Sequence, residues 1–264
     1  MKNSYLKVIS TVLLMFVFTA FGLTNLRAQS SDSVFKPTRE FKNTIRFNVT
    51  NPLIFGGKSL IFGYERILKN NRSFSINIGQ AAIPNLENGF SDEFRSNTVL
   101  SEGGFHISGD YRFYLSKVNK FSAPRGVYIG PYYSYNRFSK GHDWEYTKEG
   151  TTDTKNINSD LGLKIQQLGF ELGYQFVFWK RFSVDLILIG PGIASYKVNA
   201  TAEGNLTDEE RQLFFEKLNQ ALKDKFPGYS GTVGGDGDGE FEKTGAKSTT
   251  SLGYRYMINL GYRF

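Results

Sequence analysis

The sequence predicts an all-β protein in which eight strands close into an antiparallel, up-and-down transmembrane β-barrel. Apolar and polar residues alternate with period two in eight segments, a pattern typical of strands with one apolar face. Sixteen per cent of the residues are aromatic and 28 are glycine, a composition that favours strands over helices. After the first 28 residues, no apolar run is long enough for a spanning helix, so membrane insertion requires a closed barrel.

Composition excludes several other classes. The chain has no cysteine, which rules out disulfides, thiolate metal sites and cysteine nucleophiles. The net charge of +7 includes Lys2, Lys7 and Arg27 in the first 28 residues. Without these three the charge is +4, which is weak evidence for a polyanion. We therefore expect neither a nucleic-acid partner nor a cofactor.

The first residues predict a cleaved signal peptide. The basic start at Lys2 and Lys7 is followed by an apolar run and then by the small residue Ala28, as export signals require. We expect cleavage after Ala28, which leaves a periplasmic N-terminal segment at 29–41 and the barrel at 42–264.

The strands follow in order, and each has an apolar face. The apolar positions are Ile45, Phe47 and Val49; Leu60, Phe62 and Tyr64; Phe74, Ile76 and Ile78; Phe105, Ile107, Tyr111, Phe113 and Leu115; Ile129, Tyr133 and Tyr135; Leu168, Phe170, Leu172, Tyr174, Phe176 and Phe178; a seventh segment at 182–189; and Leu252, Tyr254, Tyr256, Ile258, Leu260, Tyr262 and Phe264. A soluble barrel would turn these faces inward. Frequent Tyr and Phe at their ends favour lipid-facing strands with aromatic girdles.

The opposite, polar faces define the predicted lumen. Four acids and four bases lie on these faces: Glu65, Asp110, Glu171, Asp185, Arg46, Arg112, Arg255 and Arg263. Because side chains fill an eight-stranded barrel, we expect a paired structural network. A proton or ion path through the lumen is the alternative.

The lengths of the links between the predicted strands indicate how the barrel is oriented in the membrane. Links at 67–72, 116–126 and 179–181 are short, whereas those at 84–104, 139–164 and 196–250 are long. Barrels of this type have short periplasmic turns and long extracellular loops, so both termini are expected in the periplasm. The short turns carry Arg66, Lys69, Arg72, Lys117, Lys120, Arg125, Lys180 and Arg181 and no acid. We hypothesise that this basic collar contacts anionic lipid or the cell wall.

The last long loop predicts a helix at about 207–226. Thr207 and Glu210 have the spacing of a capping box, and Phe214, Leu218 and Leu222 form an apolar stripe. The helix is either a lid on the barrel rim or a docking surface for another protein. Beyond it, Asp236, Asp238 and Glu240 are weak calcium candidates. They lack the EF-hand pattern, so a flexible acidic linker is favoured and no metal is expected.

His106 and Ser108 are the weak catalytic candidates. Two residues apart on one strand, they share a face, where a histidine could activate a hydroxyl. The pair resembles the His-x-Ser motif of the outer-membrane phospholipase and the lipid A deacylase. The alternation along this strand, however, places both side chains in the lumen, out of reach of an acyl chain. The chain is therefore expected not to be an enzyme, with a lipid hydrolase as the residual alternative.

The last strand carries a family resemblance. The ending Asn259-Leu260-Gly261-Tyr262-Arg263-Phe264 resembles small eight-stranded outer-membrane barrels of the Ail and OmpX kind. The resemblance implies an integral outer-membrane location and recognition of Tyr262 and Phe264 by the barrel-assembly machinery. It also implies contact with outer-membrane lipids and lipopolysaccharide. We expect a structural or surface-binding role, with an extracellular protein as one partner. Passive transport of small apolar molecules, as in OmpW-like proteins, is the alternative.

Overall fold

Eight antiparallel strands form a closed barrel in which each strand pairs with its neighbours in the chain and β8 returns to β1. The computed structural model describes residues 41–69, 71–83, 86, 90, 93–148, 150–226, 228–234 and 244–264, with the backbone alone at 244–248. The strands are β1 Asn43–Asn48, β2 Leu60–Lys69, β3 Arg72–Gln80, β4 Phe94–Tyr114, β5 Gly126–Thr147, β6 Thr154–Phe178, β7 Phe182–Gly204 and β8 Thr244–Arg263. The helices are α1 Thr50–Phe55 and α2 Asp208–Lys225. The predicted all-β, up-and-down barrel is confirmed.

The expected signal peptide at 1–28 and most of the segment at 29–41 lie outside the described residues. Among the helices of the described chain, none has the length and apolar character needed to cross a membrane.

Strand pairing fixes the geometry of the ring. Following paired residues once around the barrel from Leu260 on β8 returns to Thr250 on the same strand. The intermediate residues are Phe47, Phe62, Ile78, Ile107, Tyr135, Gln166 and Ser195. The stagger is therefore ten residues. Such a stagger requires strands tilted by roughly 35–45° to the barrel axis.

The strands differ greatly in length, and this corrects the predicted loops. Strands β1 to β3 have six to ten residues, whereas β4 to β8 have 20 to 25. Most of the segments predicted as long loops at 84–104 and 139–164, and both ends of 196–250, belong to β4 to β8. These five strands continue past the ends of β1 to β3 as a curved sheet, which we call the outer wall.

The outer wall was misread because its faces exchange polarity. On β5 the alternation keeps its phase through this exchange, whereas a bulge between Ile187 and Gly190 changes the phase of β7. On β5 the outward residues change from apolar Ile129 and Tyr133 to polar Arg137, Asp143 and Glu145. The inward residues change in the opposite sense, from polar Ser134 and Asn136 to a mainly aromatic set. Phe138, Trp144 and Tyr146 belong to this set, with buried Lys140 and His142 among them. The outer half therefore still alternates with period two, but its polar residues face out.

Helix α2 packs against the concave, inner face of the outer wall. Its side chains Phe214, Phe215, Leu218, Ala221 and Leu222 are at most 6% exposed. They join one buried cluster with inward residues of the wall: Phe94, Phe138, Trp144, Tyr146, Ile157, Leu161, Leu163, Ala194, Tyr196, Val198, Ala200 and Ala202. We call the helix and this cluster the apolar plug. The structure thus favours the lid interpretation of the helix, and its apolar stripe is not free for another protein.

Two polar anchors hold the helix. Thr207 and Glu210 form the capping box that the sequence predicts. Lys155 of β6 donates hydrogen bonds to both carboxylate oxygens of Glu210, at 2.9 and 2.7 Å. Asn219 bridges the backbone of Val233, donating to its carbonyl and accepting from its amide, each at 2.8 Å. The helix is therefore fixed to the wall at its N-terminus and to the following segment near its middle.

We predict that docking of α2 weakens at low pH through Glu210. Burial raises the pKa of Glu210, but hydrogen bonds from Lys155 and Thr207 outweigh it and hold the pKa below its ordinary value. A lowered pKa in the folded state stabilises the docked helix above the ordinary pKa, and this contribution is lost as the pH falls through the lowered value. The protection factor of the α2 amides, which corrects for the intrinsic pH dependence of hydrogen exchange, should fall as the pH drops below the ordinary glutamate pKa of about 4.3.

Glu210→Gln should abolish this pH response, while Glu216→Gln, on the exposed face of the same helix, should retain it. An equal response in wild type and Glu210→Gln would show that Glu210 is not the titrating group.

Candidate functional site: a charged lumen below the apolar plug

The lower half of the lumen holds the predicted charges. All eight predicted residues are buried, from 0% exposed for Glu65, Arg112 and Asp185 to 9% for Arg263. Seven of them are joined by ion pairs. Arg263 is the exception, since it donates to the backbone carbonyls of Lys180 and Phe41 at 3.0 and 2.9 Å. All eight residues are therefore buried, but Arg263 joins the turn at Lys180 to Phe41, just before β1, and takes no part in the ionic network among the described residues.

Arg112 is the centre of the network. Its Nε lies 2.5 Å from Asp110 Oδ1, and its Nη2 lies 3.0 Å from Asp185 Oδ2. Glu65 and Glu171 each approach it to 3.7 Å. The guanidinium also stacks on the ring of Tyr128, 4.4 Å from the centroid. One buried cation therefore contacts all four lumen acids, a geometry that suits the planar, delocalised arginine side chain.

Arg46 and Arg255 are the other two cations of the network. Arg46 donates to Asp185 at 3.0 Å and to Asn77 at 3.2 Å. Arg255 lies 3.4 Å from Glu171 and 3.8 Å from Asp110, with its guanidinium over the ring of Tyr132. Charges in a low-dielectric interior are tolerated when they are paired. Each of the four acids and three bases of this cluster has a partner of opposite charge within 4 Å. The cluster has one more acid than base, and neither carboxylate oxygen of Glu171 has a hydrogen-bond partner among the described residues.

Uncharged side chains also belong to the network. The sequence analysis predicted only its charged members. The hydroxyl oxygen of Tyr114 lies 3.1 Å from Glu65 Oε1 and 2.7 Å from Gln175 Oε1, so its single proton lies between two acceptors. Tyr128 donates to Asp185 at 2.7 Å. Strand parity already places both tyrosines on the inward face. The missing information was the partner across the lumen, which alternation along one strand does not contain.

Contacts across the ring show that side chains close the lower lumen. Gln175 on β6 donates to Glu65 on β2 at 3.0 Å. In an eight-membered ring, β2 and β6 are opposite one another, so this hydrogen bond spans the full diameter. Arg46 on β1 and Arg112 on β4 meet at Asp185 on β7. These bridges leave the lower lumen filled, as expected for a barrel of this size.

His106 and Ser108 point into the lumen, as parity predicts. His106 Nε2 lies 3.0 Å from Ser108 Oγ, and its Nδ1 lies 2.7 Å from Asn136 Oδ1. A serine, a histidine and an orienting amide in one hydrogen-bonded line is the arrangement of a catalytic triad. Ser108 is only 2% exposed, however, and also accepts from Asn77 at 3.1 Å. The arrangement therefore fits a satisfied polar layer between the ionic network and the apolar plug.

The weak calcium candidates Asp236, Asp238 and Glu240 lie outside the described residues. Within the described part of the chain, no cluster of three or more histidine, cysteine, aspartate or glutamate side chains could hold a metal ion.

The fold and its interior define a closed, eight-stranded β-barrel with a charged core and an apolar plug. No protein-family model matches the chain, and no curated protein matches it. Among solved structures, the chain is similar to the Acinetobacter baumannii protein CarO2, at 9% identity. The match covers 85% of this chain and 97% of that one, with a TM-score of 0.34. A likeness of this size carries no inference about function.

We predict that Arg112→Met lowers the free energy of unfolding by about 3–5 kcal/mol, because it leaves several buried carboxylates without their shared cation. Urea titration of the refolded barrel measures the change. Lys117→Met, in an exposed turn, is the matched control and should change stability by less than about 0.5 kcal/mol. Equal effects of the two substitutions would mean that Arg112 does not organise the network.

We predict that Ser108→Ala leaves the lipids of the host membrane unchanged, because the hydroxyl is enclosed in the lumen while Ile107 occupies the outward position. Mass spectrometry of lipid A and phospholipids from cells that express either form measures this. A product present with wild type and absent with Ser108→Ala would instead establish a lipid hydrolase.

Proposed function

We propose that the chain is a non-enzymatic, integral outer-membrane β-barrel with a structural or surface-binding role. The exchange of polarity between the two halves of the same strands carries this proposal. In the lower half, apolar side chains face out around a charged lumen; in the upper half, polar side chains face out around an apolar plug. These two outer surfaces are explained together if the lower half of the barrel lies in lipid and the upper half lies in water.

The apolar outer surface has the height of a membrane band. On β6 it runs from Leu168 to Phe178, about 33 Å along the strand. At a tilt near 40° this corresponds to about 25 Å, the height of the lipid-facing band in outer-membrane barrels. Phe170 and Leu252 on this surface are 69% and 68% exposed. Large apolar side chains this exposed, in a continuous belt, call for a lipid environment.

The orientation follows from the two ends of the barrel. The short turns carry the basic collar, and the long strands β4 to β8 form the outer wall at the opposite end. By the rule that periplasmic turns are short, the wall lies outside the cell and both ends of the barrel chain lie in the periplasm. The outward face of the wall is then the surface offered to an extracellular partner.

The end of β8 supports the proposed assembly signal. Tyr262 and Phe264 face outward, 43% and 44% exposed, at the lower edge of the apolar surface. The strand pairs with β1 through Arg263 and Tyr262, so it forms the seam of the barrel. A terminal strand with exposed aromatics at the seam suits recognition by the barrel-assembly machinery.

Passive transport of apolar molecules receives less support from the geometry. A route through the barrel axis meets the apolar plug and then the ionic network, in which Arg112 and its acids are fully buried. An apolar solute would have to displace paired charges, which is unfavourable because unpaired buried charges are strongly destabilising.

We predict that Leu172→Arg, in the middle of the apolar band on β6, prevents stable insertion, because arginine near the middle of the bilayer raises the free energy of the folded barrel by about 2–4 kcal/mol. The measurement is gel mobility before and after boiling, which distinguishes a folded barrel, together with urea unfolding in lipid vesicles. Asn158→Arg is the control, on the same strand and the same outward face but in the polar wall. A soluble barrel would tolerate both substitutions equally.

We predict that the purified barrel shows no steady nanosiemens-scale conductance in planar bilayers, because side chains bridge the lumen from β2 to β6. Such a conductance in the wild type would refute the closed lumen and favour the ion-path alternative.

A further inference from the structure

Three cations lie side by side on adjacent strands of the barrel. Arg137 on β5 is paired with Lys164 on β6, and Lys164 is paired with Lys197 on β7. Paired residues in antiparallel strands have Cα atoms about 4.5–5.5 Å apart. The three side chains leave the sheet in the same direction, since all three lie at outward positions. We call Arg137, Lys164 and Lys197 the cationic rung.

The cationic rung is separated from the apolar surface by one row of outward residues. Two residues nearer the membrane, the same strands carry the paired residues Tyr135, Gln166 and Ser195. Another two residues toward the membrane, the same strands carry Tyr133, Leu168 and Ile193. Leu168 and Ile193 are each 63% exposed. The cations therefore stand about 13 Å along tilted strands from the last apolar row. This is the level of lipid head groups, and long basic side chains can lean toward it.

No anionic side chain in the described chain neutralises the cationic rung. The outward residues paired on its far side are Ser139, Gly162 and Asn199, and those on its near side are uncharged as well. On the same row, the β4 neighbour of Arg137 is Phe105. None of the three cations takes part in an ion pair among the described residues. Like charges directly opposite on adjacent strands are destabilising, so this row calls for an anionic ligand from outside the protein.

We propose that the cationic rung binds the phosphate groups of a phosphorylated glycolipid in the outer leaflet. This inference rests on the proposed function, because the membrane sets the level at which the ligand is held. Arginine offers a planar fork to a phosphate, and lysine contributes a compact point charge. Three strands span about 10 Å, so one or two phosphates of a lipid head group can contact all three cations. The protein then supplies the positive charge that divalent cations supply between such lipids.

Lipid A binding in detergent tests the assignment. The variant is Arg137→Gln/Lys164→Gln/Lys197→Gln, and the matched control is Lys148→Gln/Lys223→Gln/Lys225→Gln, which removes the same charge from exposed positions after β5 and at the end of α2, outside the basic collar. Native mass spectrometry or calorimetry compares bis-phosphorylated with dephosphorylated lipid A. We expect wild type and control to prefer the phosphorylated lipid, and the rung variant to lose that preference by roughly tenfold or more. Lys164→Gln alone should lose an intermediate amount.

Four outcomes overturn the assignment. These are an undiminished preference in the rung variant, an equal loss in the control, binding that ignores dephosphorylation, and full competition by millimolar inorganic phosphate, which would indicate a free anion as ligand. Mobility before and after boiling is recorded for every protein. Absence of a heat shift in wild type overturns the outer-membrane proposal itself, whereas an intact shift with unchanged lipid preference overturns only the role of the cationic rung.

Discussion

The seam between β1 and β8 is the constraint on which the rest of the structure depends. Five residue pairs join the two strands, from Thr44 with Arg263 to Asn48 with Asn259. Hydrogen bonds between Asn43 and Phe264 continue the ladder to the chain end, at 3.1 and 2.9 Å. In lipid, an open sheet edge would leave backbone amides and carbonyls without partners, which costs several kcal/mol for each group. The seam removes both edges and so permits an apolar outer surface.

Closure also determines what the interior must contain. A ring of eight strands is too narrow for a wide water channel, so inward side chains have to satisfy one another. In the lower half they do so with charges centred on Arg112. In the outer half, where the wall is open along the side of β1 to β3, helix α2 completes the enclosure with apolar side chains. The polar layer of His106, Ser108 and Asn136 separates the two.

This arrangement assigns different tasks to different surfaces. The ionic network and the apolar plug fill the interior of the barrel. Catalysis or transport there would have to break paired charges or displace the plug. The outside remains available. It consists of an apolar belt for lipid, a basic collar at the short turns, and the polar outer wall with the cationic rung at its base. Under the proposed function, the outer surface is therefore where lipid head groups and an extracellular partner would bind.

The sequence by itself determined the parts that depend on neighbours along one strand. Period-two alternation gave the closed barrel, the inward position of all eight lumen charges and the lumen-facing His106, and the Thr207–Glu210 spacing gave the start of α2. It misread the outer wall as loops, because the polar outward residues there, such as Asp143 and Asn158, resemble loop composition. Only the tertiary structure decided which charges pair with Arg112, that α2 is a plug, and that Arg137, Lys164 and Lys197 share one row. These facts depend on register between strands far apart in sequence, and no local pattern encodes it.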